Sequence, residues 1–119
     1  MVKVLTFIKR KSGMPVDEFQ TYWRTEHPKV VTRLPGIRRY VQTHTLEHPV
    51  NDALQGSRGG PEAYDGVAEL WWDDAEALAA ATTTPAGRAA GLALLEDEQR
   101  FIDLARSPLF VAVERPIVS

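Results

Sequence analysis

Three segments of this chain are apolar on both faces of an extended strand, and no spare element exists to cover both sides of the sheet they would build. Val2 to Lys9 reads VKVLTFIK, with Val4, Thr6 and Ile8 on one face and Leu5 and Phe7 on the other. Asp65 to Trp72 (DGVAELWW) and Leu109 to Glu114 (LFVAVE) repeat the pattern. Strands that read this way are covered on both sides. A naked apolar face would be a large exposed patch. A second copy of the chain, packed sheet against sheet about a two-fold axis, is the simplest cover.

The intervening segments fill in the order. Pro15 opens a helix, followed by Asp17 and Glu18 where the helix dipole favours acids. Phe19, Tyr22, Trp23, Glu26, His27, Val30, Val31 and Leu34 then form an amphipathic stripe. Pro28 interrupts it, so a kink or a break and restart is expected at His27. Pro35 and Gly36 end the helix, and Ile37 to Leu46 reads as a strand with Tyr40, Gln42 and His44 on one face. His48 to Ala63 reads as a long loop without periodicity. After the third strand, Asp73 is the expected helix cap, with Glu76 completing a capping box. Ala75 to Ala81 is helical by propensity, and Pro85 marks a break. A second helical segment from Ala86 to about Ala105 would turn Leu92, Leu95, Ile102 and Ala105 inward. The order β-α-β-β-α-β predicts a ferredoxin-like α+β fold. Its four strands would make one antiparallel sheet with the helices on one face, in a single domain over 1–119. A pair of such sheets would make a dimeric α+β barrel.

Composition narrows the chemistry. The net charge is −2 with acids and bases interspersed, which argues against a grip on nucleic acid or an anionic membrane. There is no cysteine, which excludes disulfides, thiolate nucleophiles and iron–sulfur clusters. Met1 to Lys11 alternates apolar and polar residues, unlike a signal peptide. No apolar run approaches the ~20 residues that span a bilayer. The expectation is a cytoplasmic homodimer that meets a small molecule, not nucleic acid or membrane. No phosphate loop, dinucleotide fingerprint or nucleophile elbow is present, and the three histidines have no metal-ligand spacing. No cofactor and no metal are therefore expected.

Six residues stand out as site candidates. His27, on the apolar side of its helix, has an ordinary pKa of about 6.5, suited to proton transfer near neutrality. The plain alternative is a buried structural histidine. Tyr40 lies across the Pro35-Gly36 turn, on a strand antiparallel to that helix. The two side chains can then enter one space as acid and base, or hold a carbonyl or enolate oxygen. Tyrosine is equally an ordinary strand residue. Glu69 is a carboxylate in a central strand and needs partners, with Arg38 or Arg39 as candidates. Trp23 and Trp71 can wall a pocket for a flat ligand, or simply pack. His44 shares the Tyr40 face.

The run FQTYWRTEHPKVVTRLPGIRRY, Phe19 to Tyr40, resembles the signature segment of the EthD family. That segment has an aromatic-rich helix, a histidine, and a Leu-Pro-Gly turn leading to a tyrosine. DGVAELWWDDAEAL and DEQRFIDLARSPLFVAVE are similar to later parts of the same family, so the likeness covers nearly all of the chain outside His48 to Ala63. The resemblance implies a dimeric α+β barrel. The first segment also resembles the methylmuconolactone isomerases. There the residues matching His27 and Tyr40 are catalytic, together with a cysteine that this chain does not have. Other dimeric α+β barrels include polyketide cyclases, dehydratases and cofactor-free monooxygenases. The implied activity is cofactor-independent acid–base chemistry, as an isomerase, dehydratase, cyclase or lyase, on a small cyclic or aromatic, polyketide-like molecule. His27 and Tyr40 would be catalytic, and Trp23, His44, Glu69 and Trp71 would bind substrate. The alternatives are a cofactorless monooxygenase of a quinol and a non-catalytic small-molecule-binding accessory protein.

Overall fold

A computed structural model describes all 119 residues. The elements are β1 (Val2–Ile8), α1 (Val16–Thr25), α2 (Pro28–Val31), β2 (Arg39–His44), α3 (Pro49–Gly56), β3 (Gly66–Trp72), α4 (Ala75–Thr83), α5 (Pro85–Glu98) and β4 (Leu109–Ala112). The four strands form one sheet in the order β2-β3-β1-β4. Every neighbouring pair is antiparallel. The fold is α+β and ferredoxin-like, and the two strands richest in apolar residues, β1 and β3, hold its centre.

Register divides the side chains between two faces. Val4 lies opposite Leu70 and Tyr40 lies opposite Leu70 from the other side, so these three share the face on which the helices pack. Leu5 lies opposite Glu69 and Phe110, and Lys3 opposite Trp71, so these belong to the outer face. The core sits under the helices. Phe19, Trp23 and Phe101 are fully buried, with Ile8, Val31, Leu70 and Trp72 packed around them. The ring centroids of Phe19 lie 5.5 Å from Trp23 and 5.8 Å from Phe101, a spacing at which aromatic pairs attract.

Pro28 acts as its ring requires. It has no N–H to donate, so α1 stops at Thr25 and α2 restarts with Pro28 in its first turn. The break shifts the backbone pattern by one residue. The His27 N–H donates to Tyr22 O at 3.1 Å, one residue earlier than in a regular α-helix. The carbonyl of Trp23 is thereby released, and the side chain of Gln42 on β2 takes it at 2.7 Å. The turn into β2 uses Gly36 at φ +74°, with the Pro35 carbonyl accepting from the Trp72 indole at 2.9 Å. Helix and strand are thus tied together on either side of His27.

Several local expectations need correction. The stretch from His48 to Ala63 contains α3, capped by His48, whose Nδ1 accepts from the Val50 N–H at 3.0 Å. In α3, Val50, Ala53 and Leu54 do stand at helical spacing, but the helix is only eight residues long, buries none of them and is surrounded by Pro, Gly, Asn and Asp. The cap of α4 is Asp74, accepting from the Ala77 N–H at 2.7 Å, while Asp73 pairs with Arg38. α5 ends at Glu98, not near Ala105, and Leu92 and Leu95 are exposed. Gly87 and Ala90 face inward instead, because close approach to α4 favours small residues: a Cβ on Gly87 would stand 1.7 Å from Ala81 O. Leu109 and Val111 on β4 are also exposed, at the edge of the sheet.

Candidate functional site

A cavity of about 160 Å³ lies between the helices and the sheet. Nine of its twelve lining residues are hydrophobic, and His27, Tyr40 and Glu98 are among them. A wider groove of about 510 Å³ runs beside α3, but its walls are mostly polar and hold none of the six predicted residues. The small cavity is the place where an apolar wall meets a few convergent titratable groups, as ligand sites do.

His27 enters the cavity from the break between α1 and α2. It is 4% exposed, with Phe101 packed edge-on at 4.8 Å between centroids. Its Nδ1 lies 2.7 Å from Oδ2 of Asp97 at the end of α5. The other oxygen of Asp97 accepts from the Tyr22 hydroxyl at 2.5 Å, and Arg100 stands 3.8 Å away on the exposed side. Burial opposes the charge of Asp97, but the hydrogen bonds from Tyr22 and His27 together hold its carboxyl below the usual carboxylate range. An ionised Asp97 only accepts, so Nδ1 of His27 carries the proton and Nε2 is the free basic nitrogen. Burial pulls the His27 pKa below its ordinary value, while the bond to Asp97 resists. At neutral pH the ring is an oriented, uncharged base.

Tyr40 forms the opposing polar wall. Its hydroxyl accepts from Gln42 Nε2 at 2.6 Å and keeps its own proton to donate. Burial pushes its pKa up, so it is a neutral donor at pH 7. Gln42 also binds the Trp23 carbonyl and, through Oε1, the Nε2 of His44 at 2.8 Å. The His44 ring stacks on Trp23 at 4.3 Å, outside the cavity, so His44 backs Trp23 and does not line the space. Trp23 is fully buried and lines the cavity; its indole N–H makes no close hydrogen bond but stands near enough to the Tyr40 hydroxyl to oppose the upward push of burial on that group's pKa.

Glu98, the chain neighbour of Asp97, behaves in the opposite way. Burial, then the charge of Asp97, push its pKa up to about 7. It is a half-buried carboxyl on the cavity wall, able to give or take a proton near neutrality.

Of the six residues predicted from sequence, His27, Tyr40 and Trp23 are brought together. Glu69 and Trp71 are not, because they point to the outer face of the sheet. Glu69 accepts from Lys3 at 2.9 Å, a different partner from the arginines expected. Trp71 is covered by Lys3 and Arg39 and donates to Glu114 at 3.2 Å. Asp97, Glu98 and Gln42 were missed. Asp and Glu side by side at a helix end look like solvent-facing charge, and only the packing of α5 against α2 gives them a role.

The fold and the cavity define a ferredoxin-like α+β protein with a buried histidine–carboxylate pair under its sheet. The EthD domain matches residues 11–105, and the chain belongs to the EthD family. The crystal structure of an EthD family protein from Bacillus halodurans is similar at a TM-score of 0.68 and 22% identity, over 97% of this chain and 99% of that one. A dimeric ferredoxin-like protein of unknown function from Thermobifida fusca matches at 0.61 and 14% identity, over 95% and 90% of the two chains. SnoaB, a cofactor-independent oxygenase from Streptomyces nogalater, matches at 0.57 and 15% identity, over 98% and 95%. No curated protein matches the sequence. No helix is long and apolar enough to cross a membrane.

Proposed function

We propose that this protein is a cofactor-independent acid–base enzyme of the isomerase, dehydratase, cyclase or lyase type, acting on a small cyclic or aromatic molecule. The observation that carries this reading is the 2.7 Å contact from His27 Nδ1 to Asp97, which leaves Nε2 as an oriented base on an apolar cavity wall. Nε2 removes a proton beside a substrate carbonyl. Asp97 holds the ring in its tautomer and stabilises the imidazolium that forms. The Tyr40 hydroxyl donates to the oxygen on which negative charge develops. Glu98 exchanges a proton at a second position. The low dielectric of the cavity strengthens each of these interactions.

A homodimer is part of the same reading. The outer face carries Leu5, Phe7, Val41 and Val67 half-buried and Phe110 44% exposed. Dimeric ferredoxin-like proteins are among its structural neighbours, which supports a second copy as the cover.

The test is proton exchange. Cyclic ketones and lactones are incubated with the protein in D2O, and loss of the proton beside the carbonyl is followed by NMR. A positioned general base contributes about 10²- to 10⁴-fold, so His27→Ala, shown to be folded by circular dichroism at the assay temperature, should lose a factor in that range. Exchange retained within a few-fold would end this assignment.

A second reading is favoured by the likeness to SnoaB, a cofactor-independent oxygenase. The same base would deprotonate a phenol or quinol, with dioxygen as oxidant. Oxygen uptake in the presence of a quinol, lost in His27→Ala, distinguishes this reading from the first.

A further inference from the structure

Tyr40, Gln42 and His44 alternate along β2, so their side chains leave the same face of the strand. Gln42 stands between the other two and bonds in three directions. Its Nε2 lies 2.7 Å from the Trp23 carbonyl oxygen and 2.6 Å from the Tyr40 hydroxyl, and its Oε1 lies 2.8 Å from Nε2 of His44. A backbone carbonyl can only accept. The Trp23 carbonyl, released by the Pro28 break, therefore settles which way the amide faces. With nitrogen toward that carbonyl both amide protons are committed, one of them to the Tyr40 oxygen. Oε1 is left to accept from a protonated Nε2 of His44. Burial, then the charge of Arg24, pull the His44 pKa down, so near neutrality the ring carries that one proton and Nδ1 is bare.

The bonds thus run in a single direction, from His44 through Gln42 to Tyr40. The Trp23 indole acts on the same hydroxyl. The Tyr40 oxygen is engaged by donors from within the chain, while its proton is left for the cavity that Tyr40 lines. A hydroxyl turns freely about its C–O bond unless its neighbours hold it. Without the amide, the Trp23 carbonyl would stand as a competing acceptor for the Tyr40 proton, since both groups lie beside the same nitrogen.

We propose that Gln42 is a positioning residue, anchored by His44 and the Trp23 carbonyl, that keeps the Tyr40 hydroxyl proton turned into the cavity. Its effect on turnover rests on the acid–base reading above; its hydrogen-bond geometry does not. It also gives His44, which lies outside the cavity, a part in the site.

The experiment has a spectroscopic arm and a kinetic arm. Nitrogen-15 NMR of the full-length protein at neutral pH should find His44 protonated at Nε2 and bare at Nδ1, the opposite tautomer to His27. Both side-chain amide protons of Gln42, assigned by their loss in Gln42→Met, should resonate downfield, and Tyr40→Phe should move only one of them upfield. A bare Nε2 on His44, or amide protons that ignore Tyr40→Phe, would mean that the amide is turned round, and would overturn the proposal. The kinetic arm follows proton exchange of cyclohexanone in D2O, with each variant shown to be folded by circular dichroism. Tyr40→Phe should lose about 10²- to 10³-fold in kcat. Gln42→Met keeps the side-chain length, and should lose roughly 10- to 100-fold in kcat with KM within about 3-fold. The double variant should stay within about 2-fold of Tyr40→Phe, because Gln42 acts only through that hydroxyl. Losses that multiply, or a Gln42→Met as active as the wild type, would also overturn it. If the wild type exchanges no proton from cyclohexanone, the acid–base reading loses its support, and the NMR arm alone decides where the Tyr40 proton points.

Discussion

Nδ1 of His27 and Oδ2 of Asp97 lie 2.7 Å apart across 70 residues of chain, joining the break between α1 and α2 to the end of α5. The pair fixes both tautomer and charge. Nitrogen-15 NMR should find Nδ1 protonated and Nε2 bare at neutral pH. Asp97 resists the downward pull of burial on the His27 pKa, so Asp97→Asn should lower that pKa further. A titration showing it unchanged or raised would mean that Asp97 does not act on the ring.

The Tyr22 hydroxyl donates to the second oxygen of Asp97 at 2.5 Å. Hydrogen bonds to charged groups contribute about 1.5–3 kcal/mol. Tyr22→Phe keeps the ring contact with Phe101 and removes only that bond. Urea unfolding should show a loss of about 1–2 kcal/mol, and the Asp97 pKa should rise. A variant as stable as the wild type would show that the bond carries no net free energy.

Glu98 and His27 give stability opposite pH dependences. The Glu98 carboxyl ionises near 4.5 when unfolded and at about 7 when folded. The native state thus holds this proton more tightly, and its contribution, full below pH 4.5, is lost as pH rises from there to about 7, to a limit of about 3 kcal/mol. His27 has a lowered folded pKa, so the unfolded chain binds its proton first, and stability falls as pH drops below about 6.5. Glu98→Gln should exceed the wild type by about 1–3 kcal/mol at pH 8.5 and show no advantage at pH 4.5. Urea midpoints at the two pH values decide the matter, and equal gains at both would remove the proton from the explanation.

Gly66 admits Trp23 to its place. A Cβ there would stand 2.5 Å from the Trp23 ring and 2.7 Å from the Thr43 carbonyl. The second atom is backbone in the paired strand, so neither neighbour can yield cheaply. Gly66→Ala should destabilise by about 1–3 kcal/mol and change the tryptophan fluorescence. Wild-type thermal stability would contradict this packing.

The outer sheet face supplies the fifth prediction. If a second copy covers it, Phe110→Asp should convert a dimer to a monomer in light scattering while circular dichroism stays native. A wild-type chain that is monomeric at high concentration would remove the dimer from the proposed function.

The alternation in β1 and β3, the stripe of α1 and the Pro28 break were legible because each is a local pattern of period or of backbone chemistry. Those patterns sufficed for the β-α-β-β-α-β order and for selecting His27 and Tyr40. α3 was hard to read because its short Val50, Ala53 and Leu54 spacing is surrounded by loop-forming residues and buries no side chain. Leu92 and Leu95 misled because helical phase cannot say which side of α5 meets α4, and Gly87 decides that by size.

The strands, the helix break and the residue types available for chemistry follow from local sequence, because these depend on neighbours within a few positions. Tertiary structure alone decided which of those residues meet. Period two put Glu69 and Trp71 together on one face of β3, but only sheet pairing and helix packing made that the outer face. In the same way, nothing near Asp97 in the chain marks it as a partner of His27. Their contact exists because α5 packs against α2, a relationship between segments 70 residues apart.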